Sequence, residues 1–245
     1  MDATLRRLKV RDIPPVPPEI IESFRNHRVT MVPFEGRARI ITDPELRLEN
    51  GVAEFVDGSF MVSVSCPMHG VTRDMLMWWL WWFPQNVERF RAWLPEANFE
   101  ITYSEDDRDF FMAQDVPSFR PVTLYPNQAV GDLALPFRID LVMADEFGFT
   151  AKDIEVAGNP LLVCGHMMAR KGKFLYSDFV YSVYPTDYGS LFNARFWIGR
   201  NNSNLLLRLL LLNERRIMGL AEICYRQYAC LDGILPELYW ENRRS

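Results

Sequence analysis

Hydrophobic positions along the chain fall first into period-two patterns, then into two helical runs, then into period two again, and finally into one long helical pattern. Ala38-Arg39-Ile40-Ile41 and Val52-Ala53-Glu54-Phe55-Val56 have the β-branched and aromatic content of strands, and Phe60-Met61-Val62-Ser63-Val64 follows an Asp57-Gly58 turn. Asp-Gly between two such runs closes an antiparallel hairpin. Thr72, with Asp74 in the first turn, caps a helix over 75–83 that is apolar on almost every side, a pattern that requires burial nearly all round. Pro84 ends it. A second helix over 85–93 sets Val87, Phe90 and Trp93 at helical spacing against Glu88, Arg89 and Arg91, and Pro95 stops it.

Strands resume at 99–103, 137–143, 160–168, 174–184 and 191–198, with Lys171-Gly172-Lys173 as a turn, while Glu105-Asp106-Asp107-Arg108-Asp109 reads as a solvated loop. Asn204 is placed to cap a long helix from 205 to about 233, with Asn213 and Gly219 as points of bending. Residues 1–36 are proline-rich and read as an extended arm with a helical turn at 18–25; residues 37–245 read as a single domain. The order predicts an α+β fold in which a curved antiparallel sheet wraps a long C-terminal helix and carries an inserted helical pair.

Composition narrows the function. The 245 residues are 49% hydrophobic, enough for a large core, and a net charge of −5 argues against a phosphate-backbone partner. Nucleic acid is therefore excluded as an expectation. The apolar run over 205–212 is broken by Arg208 and is too short to span a bilayer, and no signal-like segment opens the chain, so a cytoplasmic, membrane-free protein is expected. The four cysteines are scattered and read as reduced, buried thiols. Seven Trp, seventeen Phe and nine Tyr, with Trp78-Trp79-Leu80-Trp81-Trp82 in one stretch, point to a core or to a cavity for a flat apolar ligand.

Glycine-rich phosphate cradles, the G-x-S-x-G elbow and the H-E-x-x-H pattern are all absent. Only His27, His69 and His166 are available, and Cys66-x-x-His69 has no second ligand pair. No cofactor is expected.

Met68-His69-Gly70-Val71-Thr72-Arg73-Asp74-Met75-Leu76-Met77-Trp78-Trp79, then Glu88-Arg89-Phe90-Arg91-Ala92-Trp93-Leu94-Pro95-Glu96-Ala97-Asn98, resembles the signature of the 2,4-diacetylphloroglucinol hydrolase and phloretin hydrolase family. Asn193-Ala194-Arg195-Phe196-Trp197-Ile198-Gly199 and Leu235-Pro236-Glu237-Leu238-Tyr239 are similar to two further blocks of that family, in the same order. The resemblance implies a helix-grip (Bet v 1-like) fold, a dimer, and hydrolysis of a carbon–carbon bond between an acyl group and a phenolic ring by zinc held by two His and two Glu. Carried over position by position, one ligand His falls on Asn98, the His and Glu of the C-terminal helix fall on Ile223 and Gln227, and the remaining Glu falls on Arg138. A substrate-contacting Tyr falls on Phe90. An amide, an alkyl group and a guanidinium do not replace imidazole and carboxylate, so a zinc-free protein is expected.

What remains is His166, either a general acid/base or a hydrogen-bonded sheet residue, with Tyr181, Arg195 and Asp140 as companions. Phe90, Asn98, Arg138, Trp79, Ile223 and Gln227 are the candidate substrate contacts. The leading expectation is a metal-independent enzyme that cyclises, isomerises or cleaves a polyketide-, phenol- or terpenoid-like hydrophobic small molecule. The alternatives are hydrolysis of an acyl-phenol or 1,3-dicarbonyl, with His166 activating water, and a non-catalytic carrier of an aromatic ligand.

Overall fold

The computed structural model describes residues 13, 15–26, 29–131, 133–169, 175–200 and 212–243. Its centre is a curved antiparallel sheet of nine strands: β1 Gly51–Glu54, β2 Phe60–His69, β3 Asn98–Glu100, β4 Thr123–Leu124, β5 Asn127–Val130, β6 Leu133–Val142, β7 Leu161–Ala169, β8 Leu175–Thr186 and β9 Gly189–Ile198. The order is β1-β2-β9-β8-β7-β6-β5-β3, with β4 on β6. The hairpin expected at Asp57-Gly58 joins β1 to β2, closed by Phe55 N–H donating to Ser59 O at 2.8 Å.

Nine helices accompany the sheet among the described residues: α1 Pro18–Asn26, α2 Ala38–Thr42, α3 Arg73–Trp82, α4 Val87–Trp93, α5 Arg108–Phe111, α6 Ala144–Phe147, α7 Ala151–Val156, α8 Glu214–Asp232 and α9 Leu235–Arg243. The inserted pair is α3 and α4, capped by Thr72 and Asn86. The long helix α8 packs on one face of the sheet, hereafter the inner face. Its cap is Asn213, which accepts from Arg216 N–H at 3.0 Å; Asn204 and the Lys171–Lys173 turn lie outside the described residues. Gly219 lets α8 lie against the turn after β5, because a Cβ there would come within 2.5 Å of Gly131 Cα.

The sequence pattern misassigns one element. Ala38–Ile41 is helical, not extended, because Ile40 and Ile41 are both buried; adjacent residues of a helix can share one broad apolar face, whereas a strand sends them to opposite faces. The acidic run is also less solvated than expected: Asp107 is buried and accepts from Arg120 Nη1 at 2.6 Å and from Thr123 N–H at 2.7 Å.

Residues 29–50 cover the opposite, outer face together with α6 and α7. Val32, Ile40, Ile41 and Leu46 form a second core with Phe147, Phe149, Cys164, Val180 and Trp197, and Trp197 Nε1 donates to Val32 O at 2.8 Å. Arg37 donates to Phe147 O at 2.5 Å across Gly148, whose φ of +100° and lack of Cβ leave room for the guanidinium. All four cysteines are free and buried, and no helix of the described residues is long and apolar enough to cross a membrane.

Candidate functional site

Side chains alternate along each strand, so the two faces of β6 to β9 carry different residues. Ile139, Leu141, Val163, Met167, Phe179 and Tyr181 point inward and, with Leu80, Phe83, Phe90 and Trp93 from the helical pair and Gln227 and Tyr228 from α8, enclose a cavity of about 80 Å³. That is roughly half of the 150 Å³ cavity known to accept benzene, so a phenolic ring enters only as wall side chains move.

Four polar residues reach this otherwise apolar space: Gln128, Tyr181, Gln227 and Tyr228. Burial pushes the phenols of Tyr181 and Tyr228 well above their usual range, so both remain neutral donors, and neither hydroxyl has a hydrogen-bond partner among the described residues. Asn98 is fully buried beside them. Its Nδ2 donates to Phe90 O at 3.1 Å, and its Oδ1 accepts from Gln227 Nε2 at 2.8 Å. Trp93 Nε1 donates to Gln227 O at 2.6 Å, so the helical pair, β3 and α8 are tied together at one point.

The resemblance implied zinc at these positions, and the residues present do not fit it. Asn98 and Gln227 spend an amide oxygen and an amide N–H on each other, Ile223 offers no lone pair, and Arg138 lies on the outer face in an ion pair with Asp140. Among the described residues no group of three or more His, Cys, Asp or Glu is arranged to hold a metal ion.

Phe90, Asn98, Tyr181 and Gln227 are thus brought together, and the other candidates are not. His166 shares its face with Cys164 in the outer core; its Nδ1 lies 2.6 Å from Asp178 Oδ1, and Asp178 Oδ2 accepts from Arg200 Nε and Nη2 at 2.8 and 2.7 Å. Asp140 accepts from Thr123 Oγ1 at 2.8 Å and from Arg138 Nε at 2.9 Å. Arg195, 1% exposed, donates to the carbonyls of Ala194 and Leu46, and burial lowers its guanidinium to about 10. Strand alternation separates all four from the cavity, which corrects their placement beside the substrate. Trp79 sits behind the wall, packed on Phe83 and Trp93, and Ile223 lines an outside groove.

Gln128 and Tyr228 were not foreseen. Gln128 lies opposite Asn98 in the β3–β5 register, but β5 is four residues long and was not recognised as a strand, so its faces could not be assigned. Tyr228 was legible as the neighbour of Gln227 on the same helix.

A family model described as DAPG hydrolase PhiG domain matches residues 32–240. The chain belongs to that family. The phloretin hydrolase of Eubacterium ramulus is 25% identical over 248 residues, covering 95% of this chain and 88% of the relative. Among solved structures, protein Ms6760 of Mycobacterium smegmatis superposes with a TM-score of 0.39 at 13% identity over 76% of this chain and 97% of its own. Protein EF2215 of Enterococcus faecalis gives 0.35 at 7% identity over 85% of this chain and 98% of its own. Superpositions this loose add nothing to the architecture. In this DAPG hydrolase family member, Asn98 and Gln227, two of the positions on which the resemblance placed zinc ligands, form an amide pair beside the aromatic enclosure.

Proposed function

We propose that this family member is an enzyme that acts, without zinc, on a phenolic acyl compound bound in the inner cavity of a helix-grip fold, by isomerisation or by retro-aldol cleavage of a β-hydroxy-acyl arm, in which the hydroxyl proton leaves as the Cα–Cβ bond breaks, an aldehyde departs, and the enolate left on the ketone is reprotonated. The observation that carries the reading is the Asn98–Gln227 hydrogen bond set in an aromatic wall beside the phenol of Tyr181, which has no hydrogen-bond partner among the described residues. Flat walls hold the ring, the amides orient its hydroxyls, and Tyr181 O–H donates to the ketone oxygen as negative charge develops there. Among the described residues the lining holds no carboxylate, imidazole or amine, so proton removal falls to water or to the ligand's own oxygens.

Family membership favours a second reading, hydrolysis of the acyl–aryl bond. It loses its expected water activator, since His166 is on the other face of the sheet. The two readings separate when the purified protein is incubated with an acyl-phenol in oxygen-18 water and the products are weighed. A product of unchanged mass, or an aldehyde and a ketone with no released acid, with no stoichiometric zinc in the protein and no response to added zinc, is the expected result. Oxygen-18 in a released acid overturns it, with or without zinc, and tight binding with no product makes the protein a carrier.

A further inference from the structure

Tyr228 lies on α8 in a buried stripe at helical spacing, Leu220, Cys224, Tyr228 and Leu231. Its ring is stacked on Phe192 and meets the rings of Trp93 and Tyr181 edge-on, at centroid distances of 5.8 and 5.7 Å. A phenylalanine would make the same contacts, and a hydroxyl taken out of water costs stability unless it finds a partner. Other buried tyrosines have one: Tyr184 donates to Ile41 O at 3.4 Å, and Tyr239 accepts from Arg243 Nη1 at 2.6 Å. The Tyr176 hydroxyl has none and is sealed in, out of reach of a ligand. The hydroxyls of Tyr228 and Tyr181 also lack a partner among the described residues, but they are not sealed, and both residues line the same cavity of about 80 Å³. Tyr228, 5% exposed, comes from the helix and Tyr181 from the sheet. In a space that small, a ligand that reaches one phenol lies against the other.

We propose that Tyr228 is a specificity-determining residue of the inner cavity: its O–H donates to a second oxygen of the ligand, a ring hydroxyl, while Tyr181 O–H takes the ketone oxygen. The inference rests on the inner cavity being the ligand site and on Tyr181 serving the ketone. A phenolic hydroxyl accepts and donates at once, so the ligand group that accepts from Tyr228 can donate in turn to the amide oxygen of Gln227, the preceding residue of α8. Both phenols are neutral donors, so the selection is for acceptor oxygens and not for charge. A site that hydrogen-bonds a ligand hydroxyl rejects the analogue lacking it, because the buried donor is then left unpaired.

The test measures binding of 2,4,6-trihydroxyacetophenone, acetophenone and phloroglucinol to the wild-type protein, Tyr228→Phe and Tyr181→Phe by equilibrium dialysis, at a pH that keeps the probes' phenols neutral. Tyr228→Phe retains every ring contact, and an unchanged urea midpoint shows that it folds as the wild type does. It is expected to bind trihydroxyacetophenone and phloroglucinol about three- to tenfold more weakly and acetophenone as tightly as the wild type. Tyr181→Phe is expected to weaken the two ketones and to leave phloroglucinol unaffected. Unchanged binding of the two hydroxylated probes by Tyr228→Phe, or a loss that extends equally to acetophenone, overturns the proposal. Unchanged ketone binding by Tyr181→Phe overturns the ketone's assignment to Tyr181 alone, because the hydroxyl-dependent loss in Tyr228→Phe still reports on Tyr228. Binding of no probe by the wild type overturns both.

Discussion

On the inner face, β6 to β9 present Ile139, Leu141, Val163, Phe179, Tyr181 and Phe196; on the outer face the same strands present Arg138, Asp140, His166, Asp178 and Arg195. One sheet thus holds a neutral aromatic chamber on one side and a charged network on the other. Arg138 pairs with Asp140, and His166 and Arg200 pair with Asp178, while the outer groups clamp covering chain: Arg195 donates to Leu46 O, and Arg200 lies 3.9 Å over the Phe34 ring. The inner polar groups are amides and phenols, which lose less on leaving water than ions do and can be satisfied by one another or by a ligand. Residue types that suggest catalysis in a sequence therefore serve here to hold the covering segment, and the chamber relies on groups that sequence reading passes over.

The largest expected effect comes from breaking the outer network. Asp178→Ala leaves the His166 and Arg200 donors without their buried acceptor and is expected to cost about 3 kcal/mol, read as a lowered urea midpoint, with acyl-phenol affinity unchanged in the protein that remains folded. Lost turnover with unchanged stability would instead place the chemistry on the outer face. Asn98→Ala is next. It strips the Phe90 carbonyl and Gln227 Nε2 of their partner, for about 1–3 kcal/mol of stability, and it also weakens ligand binding by releasing Gln227. A variant that loses stability and binds as tightly as wild type would reduce the amide pair to a structural tie.

The hairpin, the capped helical pair and the order of the later strands were legible because each carries a local signal: Asp57-Gly58, Thr72 before an all-apolar run, and alternation long enough to count. The site was half legible. Phe90, Asn98 and Gln227 came from the resemblance and Tyr181 from its strand, but inward and outward are fixed only by register, and a shift of one residue exchanges every side chain between faces. That ambiguity set His166 and Arg195 beside Tyr181 on paper, whereas the sheet separates them. Ile40 and Ile41 failed for a related reason: neighbouring β-branched residues suit a strand locally, and only packing against the outer core selects the helix.

A smaller effect on stability, and a diagnostic one on function, is expected from Tyr181→Phe. Removing a hydroxyl that has no partner among the described residues should change stability by less than about 1 kcal/mol, while turnover of an acyl-phenol falls at least about tenfold. Unchanged turnover would leave the inner chamber without its donor chemistry.

The smallest expected effect is that of pH on binding of uncharged 2,4,6-trihydroxyacetophenone, measured at low enough pH to keep its own phenols neutral. No residue lining the chamber is a carboxylate, imidazole or amine, so affinity should stay flat down into the acidic range for as long as the protein stays folded. An inflection that disappears in His166→Ala would couple the outer face to the ligand and break the contrast between the two faces. At the alkaline end the folded state itself responds. Burial raises the thiols of Cys66 and Cys164 to about 12 and holds the phenols of Tyr181 and Tyr228 well above their usual range. The unfolded chain gives up these protons from about pH 9 upward while the folded chain keeps them, so their stabilisation is complete below about pH 9 and declines progressively above it. Tyrosinate absorbance from Tyr181 and Tyr228 should therefore appear only together with unfolding, and its appearance in a folded protein would show that the chamber is wetter than its walls imply.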